Sequence, residues 1–260
     1  MEQSNSLGLM NDKLLGFLEE EFKISKLNRL PEKYGGGNIF SHPLVGVAQG
    51  NDPIFHKFKK IIGQKHLTPL EMWIASGQDQ LSASELYVVS IVFPFVDKIR
   101  KESNNPIVLP KITLPAERYI AFATGLGTFS LHEGLITEVG CNIRLASVVT
   151  NTPIKISRRK SDEPYANCLS YAKGICKECI NKCPANAITV KGHNKVKCNK
   201  YRMKVARKMV PRLGSILKPD SRRINWKLKE DIFIVGCELC QFGVPCMEKN
   251  PMLSYDMDYS

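Results

Sequence analysis

Cys176-Lys-Glu-Cys179-Ile-Asn-Lys-Cys183-Pro184 decides how this chain is read. The spacing is C-x2-C-x3-C-P, the latter part of a cysteine run that holds iron–sulfur clusters. Cys168 stands eight residues before Cys176, and Lys173 occupies the usual place of the first cysteine. A second set follows: Cys198, then Cys237-Glu-Leu-Cys240, then Cys246, with Pro245 before the last cysteine rather than after it. A cubane needs four thiolates in one small volume, and an x2 gap lets a tight turn present successive sulfurs. Where two clusters share such a run, the cysteine before the proline serves the other cluster. The expected sets are therefore Cys168, Cys176, Cys179 and Cys246 for cluster A, and Cys183, Cys198, Cys237 and Cys240 for cluster B. Cys141 is left over and reads as a buried small hydrophobe. Zinc competes, since two C-x2-C pairs can hold it tetrahedrally. The C-x3-C-P-x-x-A-I tail favours iron–sulfur instead. The stretch from Cys183 to Val190 reads as a helical turn leading into a strand.

The chain has 260 residues, 43 % of them hydrophobic and 24 % charged. That is ordinary for a globular protein with a real core. Wholesale disorder and collagen-like repeats are excluded. The longest apolar run, Leu86 to Val96, is broken by Pro94 and is too short to cross a bilayer. The stretch Met1 to Asn11 has neither a basic segment followed by an apolar one nor a twin arginine. It reads as unexported, hence cytoplasmic, with no membrane partner. Eight of the nine cysteines fall in the last 93 residues. Thiols kept reduced in that compartment point to metal rather than to disulfides.

The net charge of +12 is unevenly placed. Lys155 to Lys229 holds 21 Lys and Arg against 4 Asp and Glu, or +17, which leaves −5 for the rest. A basic half suits an acidic redox protein such as a flavodoxin or ferredoxin, an anionic cofactor, or nucleic acid. Lys200, Arg202, Lys204, Arg207, Lys208, Arg212, Arg222 and Arg223 could meet RNA phosphates. Only Tyr201 and Trp226 offer nearby stacking.

Residues 9 to 29 read as an amphipathic helix. Gly35-Gly36-Gly37 marks a loop that lacks the Lys-Ser/Thr of a phosphate-binding loop. Thr68-Pro69-Leu70-Glu71 is a capping box that starts a helix. Leu86 to Phe95 reads as a buried strand, Asn104-Asn105-Pro106 as a break, and Glu117 to Thr124 as a helix ended by Gly125-Leu126-Gly127. Leu135 to Thr137 and Ile143 to Val149 are strand-like, with Gly140 as the turn between them. Lys155 to Tyr165 reads as a polar linker, Asn199 to Val210 as a basic helix ended by Pro211, and Leu253 to Ser260 as a loose tail.

Ile39-Phe40-Ser41-His42-Pro43, Asp52-Pro53-Ile54-Phe55, Glu117-Arg118-Tyr119 through Phe129, and Arg144 through Thr150 resemble the signatures of epoxyqueuosine-reductase-like iron–sulfur proteins. Cys168 to Cys198, with Gly192-His193, and Gly236-Cys237-Glu238-Leu239-Cys240-Gln241 are similar too. The likeness runs from about residue 39 to 251. It implies an α+β chain: a truncated nitroreductase-like α/β domain over 1–155, then a ferredoxin-like module with two [4Fe-4S] clusters over 156–260. It also implies a corrinoid (cobalamin) against Gly125, Gly127 and the segment to Thr150, Arg144 included. Two departures stand out. The stretch from Val96 to Glu117 is short, and Lys111 stands where the tRNA-modifying relatives carry a catalytic Asp.

The expected function is an iron–sulfur oxidoreductase that relays electrons to a cofactor or substrate in the first domain. Glu117, Arg118, Tyr119, His132 and Arg144 are the candidate polar groups near it, and no catalytic residue is assigned. A structural ion pair of Glu117 with Arg118, a core Tyr119 and a satisfied loop His132 are the plainer readings. The alternative function is a ferredoxin-like electron carrier or accessory subunit without a substrate of its own.

Overall fold

The computed structural model describes residues 2–32, 35–102, 115–213 and 237–253. The apolar run after Leu86 forms strand β2 (Tyr87–Pro94), the middle of a three-stranded antiparallel sheet. Its neighbours are β1 (Leu44–Gln49) and β5 (Ile143–Thr150), with Val89 opposite both Val47 and Val148. Cores lie on both faces of β2, with Val88 in one and Val89 in the other, so the strand is apolar nearly throughout rather than alternating. Leu86 and Val92 are fully buried.

One face is packed by α2 (Ile54–Ile62) and α5 (Pro115–Ala123), through a core that includes Phe55, Phe58, Val88, Ala121 and Phe122. The other face is smaller, with Val47, Val89 and Ile154 packed against Leu14 of α1 (Glu2–Ile24). The capping box forms as expected at α3 (Pro69–Ala75): Glu71 N–H donates to Thr68 Oγ1 at 3.3 Å, and Thr68 N–H donates to the Glu71 carboxylate at 2.7 Å. Helix α4 (Asp97–Glu102) follows β2.

After α5 the chain makes a second sheet, the hairpin of β3 (Gly127–Phe129) and β4 (Leu135–Thr137). Both strands are buried throughout. The cysteine-bearing half wraps this hairpin. It comprises α6 (Leu169–Lys173), α7 (Glu178–Asn181), the small hairpin β6 (Ile188–Thr189) with β7 (Gly192–His193), α8 (Lys195–Leu213) and a 3-10 turn at Leu239–Gln241. A second core joins Leu131, Ile136 and Cys141 to Cys168, Cys179, Cys183, Ile188 and Met247. Residues on both sides of position 155 thus share one core. The architecture is mixed α/β with small antiparallel sheets.

Two sequence expectations change. The basic helix begins earlier and ends later than Asn199–Val210, because Asn194 Oδ1 accepts from Lys197 N–H at 3.0 Å and Pro211 falls inside the last turns. A proline there removes one backbone hydrogen bond near an end that frays anyway, so the helix runs past it to Leu213. The segment from Lys155 to Tyr165 is not a free tether. Ser157 N–H donates to Val47 O at 2.8 Å, and Val47 N–H donates to Ser157 Oγ at 2.9 Å, which seats the segment along the outer edge of β1.

Arg159 fastens the segment further on. Its guanidinium donates to Asp52 Oδ2 at 2.6 Å, to the Ala123 carbonyl at the end of α5 at 2.9 Å, and to Asp162 at 3.0 Å. A cation on a helix C-terminus is well placed. Arg159→Met is expected to lower unfolding stability by about 2 kcal/mol, since it strands a half-buried carboxylate; urea denaturation checks this. The break at Asn104-Asn105-Pro106 and the tail from 254 onward lie outside the described residues. Among the described residues, no helix is long and apolar enough to cross a membrane.

Candidate metal centre and adjoining cleft

Cys168 precedes α6, Cys176 lies just before α7, and Cys179 sits within α7. Cys246 arrives from the distal loop. These four line one small pocket, walled by Ser130, Leu131, His132 and Val244. Cys183 follows α7 and points elsewhere: Ala187 N–H donates to its Sγ at 3.3 Å. Cys237 lies close enough to Cys198 and Cys183 to feel their charge. Cys240 and Cys198 pack on the same core as Cys183.

The electrostatics of the first set suit metal thiolates. Burial pushes the Cys179 thiol up to about 12, and Cys246, Cys168 and Cys176 push it the same way. Burial raises Cys176 and Cys237 too. The thiol of Cys246 is raised by its contact with Cys141 and by burial. Crowded, buried sulfurs of this kind resist ionising alone. A multivalent metal core relieves both costs at once. Four thiols lining one small pocket are the donor type and number that an iron–sulfur cluster takes.

Beside the second set lies a cleft of about 940 Å³, and Cys198 is part of its wall. Phe58, Tyr119, Phe129 and Tyr165 make an aromatic side, and Lys195, Lys200 and Arg202 from α8 make a cationic one. Glu133 stands between them. It is the tip residue of the β3–β4 hairpin, held at φ 61, a strained value for a residue with a side chain. Its carboxylate takes His193 Nδ1 at 3.3 Å and Lys195 Nζ at 3.4 Å. Its carbonyl accepts a hydrogen bond from Arg118. Burial would push the Glu133 carboxyl up, but His193 and Lys195 outweigh it and hold the group below the usual range. His193 is raised to about 9 by its hydrogen bonds with Cys198 and Glu133. Burial lowers the pKa of Arg118, with Glu133 opposing.

The polar residues singled out in the sequence part company here. Arg118 and Tyr119 line the cleft. Glu117, adjacent on α5, turns away to Ser147 on β5, and burial raises its carboxyl. The two are not an ion pair, because successive helix positions face different directions. His132 lies against Cys246. Arg144 stacks over Phe95, 5.0 Å from the ring centre, and lines a small crevice with Arg118 and Glu238. Gly125 and Gly127 border a separate cavity of about 350 Å³ with Leu44, Phe122 and Lys160. Gly127 also has a packing reason: a Cβ there would meet Ile136 O at 2.4 Å across the hairpin. Lys111, Arg222, Arg223 and Trp226, and the side chains of Lys208 and Arg212, lie outside the described residues. Sequence reasoning missed Glu133 and Lys195, and saw His193 only as part of a motif. The one local hint was the Glu133-Gly134 pair, a turn signal between two apolar triplets.

No family model and no curated protein matches this chain. Solved structures do. A selenomethionine-labelled epoxyqueuosine reductase aligns at 13 % identity with a TM-score of 0.38. The epoxyqueuosine reductase from Bacillus subtilis aligns at 16 % identity with a TM-score of 0.37. Each alignment covers 81 % of this chain and 66 % of the other, so this chain spans just under two thirds of their length.

Proposed function

We propose that this chain is an iron–sulfur oxidoreductase of the epoxyqueuosine-reductase-like kind, passing electrons through two [4Fe-4S] clusters to a molecule held in the 940 Å³ cleft. In this reading a truncated nitroreductase-like domain supplies the aromatic side and a ferredoxin-like module supplies the cysteines. The observation that carries it is the position of Cys198, a member of the second cysteine set and part of the cleft wall. Cys168, Cys176, Cys179 and Cys246 would hold cluster A, and Cys183, Cys198, Cys237 and Cys240 cluster B. Bound there, the clusters supply one-electron transfer between a donor and the cleft.

The chain's own residues do the rest. The aromatic side takes a flat apolar body, and Lys195, Lys200 and Arg202 take its anionic groups. Glu133 holds His193 and Lys195 in place at the mouth of cluster B's site. The surplus of cations favours the more negative, reduced form of each cluster. It also steers an acidic donor such as a flavodoxin or ferredoxin, at a rate that falls with salt. The half-exposed Cys176, flanked by exposed Lys173, Ile175 and Lys177, is the edge such a donor would meet first.

For a corrinoid, the size and lining of the cavities favour the cleft over the cavity beside Gly125 and Gly127. Small-molecule sites span roughly 300–1,000 Å³. The cavity beside Gly125 and Gly127, about 350 Å³, is too small for a macrocycle with a nucleotide tail. The 940 Å³ cleft has the room, with Tyr119, Phe129 and Tyr165 to face the ring and α8 cations to face the phosphate. A corrinoid bound there supplies a strongly reducing cobalt centre. The same cations leave RNA as a further partner, tested by a shift assay with bulk tRNA at two salt concentrations.

Anaerobic reconstitution tests the proposal. The chain is expected to take up about eight irons and to turn brown, and Cys141→Ala to keep about eight. Colourless, zinc-loaded protein that accepts no iron overturns it. Added cobalamin is expected to stay with the protein through gel filtration and change its spectrum. No uptake, with no substrate turned over, leaves the electron-carrier reading standing.

A further inference from the structure

His132, Cys141 and Cys246 form a cluster that the proposed function does not use in full. One ligand atom from each lies within 4.8 Å of the others, and His132 and Cys141 are buried. His132 Nε2 is 3.5 Å from Cys246 Sγ, across 114 residues of sequence. Three such groups suggest a separate metal ion at first sight. The other ring nitrogen decides against it. Gly134 N–H points at His132 Nδ1, at 3.1 Å. A backbone N–H can only donate, so Nδ1 must accept and carries no proton. In a neutral ring the proton then sits on Nε2, the nitrogen that faces Cys246. A metal-bound histidine shows the reverse arrangement, with its outer nitrogen donating to an acceptor and its inner lone pair free for the metal. Here the inner nitrogen presents N–H, not a lone pair.

We propose that His132 is a positioning residue for cluster A: its Nε2–H donates to the sulfur of Cys246 and holds the reduction potential of that cluster up. The inference rests on the cluster reading above. The physical reason is direct. Reduction adds negative charge that spreads over the ligand sulfurs, and a fixed N–H dipole aimed at one of them stabilises that added charge. The ring is 4 % exposed, so water does not screen the dipole or substitute for it. The backbone fixes the aim. Residues 130 to 134 form the tight turn of the β3–β4 hairpin, closed by Ser130 N–H and Ser130 Oγ on the Gly134 carbonyl at 2.9 and 3.0 Å. Gly134 allows the ring to lie against the turn, since a Cβ there would stand 2.6 Å from His132 Cε1. Cys246 is held from the other side, where Cys141 N–H donates to its carbonyl at 2.9 Å. Donor and acceptor are thus both fixed before any electron arrives.

A histidine kept only for packing would cost stability when replaced and leave potentials alone. The test therefore reads potentials, by EPR-monitored redox titration of reconstituted wild type, His132→Leu, His132→Gln and Gly134→Ala. His132→Leu is expected to load about eight irons and to shift the reduction equilibrium of cluster A about tenfold toward the oxidised form, which is ~59 mV for one electron. Cluster B should titrate as in wild type. His132→Gln keeps an N–H donor and should recover most of the shift. Gly134→Ala keeps the histidine but displaces its ring, and should move cluster A in the same direction as His132→Leu. If the Leu variant fails to load, the Gln and Ala variants carry the comparison. A loaded His132→Leu or Gly134→Ala variant whose cluster A titrates like wild type overturns the proposal. A wild-type chain that binds no iron overturns the cluster reading instead, so the two failures are distinguishable.

Discussion

Cys179→Ala and Cys183→Ala are each expected to cut bound iron from about eight to about four per chain, yet to empty different sites. Only three residues separate the two cysteines, and both are buried. Neighbours in sequence would ordinarily serve one site. Cys179 shares its pocket with Cys168, Cys176 and Cys246, whereas Cys183 turns toward Cys198 and Cys237. Replacing Cys179 should therefore abolish the EPR signal of cluster A and leave that of cluster B, and replacing Cys183 should do the opposite. Reduction of anything in the cleft should fall to background in both, because each break interrupts the relay. If the two variants lose the same signal, the sulfurs do not cross and the assignment of sets is wrong.

The second large effect is expected from Gly140→Ala, at a residue far in sequence from the eight cysteines of the two sets. Gly140 turns the chain between β4 and β5 at φ 83. Its N–H and carbonyl close the turn on Thr137, at 3.0 and 3.1 Å. A Cβ at this position would lie 2.3 Å from Met247 O and 2.7 Å from Glu248 C, both backbone atoms that cannot swing aside. The substitution therefore adds a backbone collision to left-handed strain of about 1–2 kcal/mol. Relief requires the loop carrying Cys246 to move off the hairpin. That breaks the hydrogen bonds from Cys141 and Asn142 to Met247 O, at 3.2 and 3.1 Å. A loss of about 3 kcal/mol or more in urea denaturation is expected, together with loss of cluster A but not cluster B. Gly77→Ala is the control. Gly77 also has a positive φ, 76, but a Cβ there meets nothing within 4 Å, so only the left-handed strain should appear.

Much of the local structure was legible in the residues. The Thr68-to-Glu71 box fixes a helix start because its partners are three positions apart. Strand β2 follows from an apolar run of the right length, and the turn at Gly140 from a residue free to take positive φ. Spacing alone brings Cys176 and Cys179 to one site, since a two-residue gap leaves the chain little choice. The end of α8 was misread because Pro211 is a breaker only where the bond it deletes matters.

The sequence by itself determined the candidate donor set: eight thiols whose spacing reads as iron–sulfur ligation, joined to a cationic half. What the tertiary structure alone decided lies in contacts between distant segments. His132 meets Cys246 across 114 residues, His193 meets Glu133 across 60, and the cleft opens where α8 faces the aromatic side of α5 and β3. Local spacing carries no information about such meetings, because they depend on how the two halves of the chain dock. The docking is set by the shared core of Leu131, Ile136, Ile188 and Met247 and by backbone hydrogen bonds that no residue pattern announces.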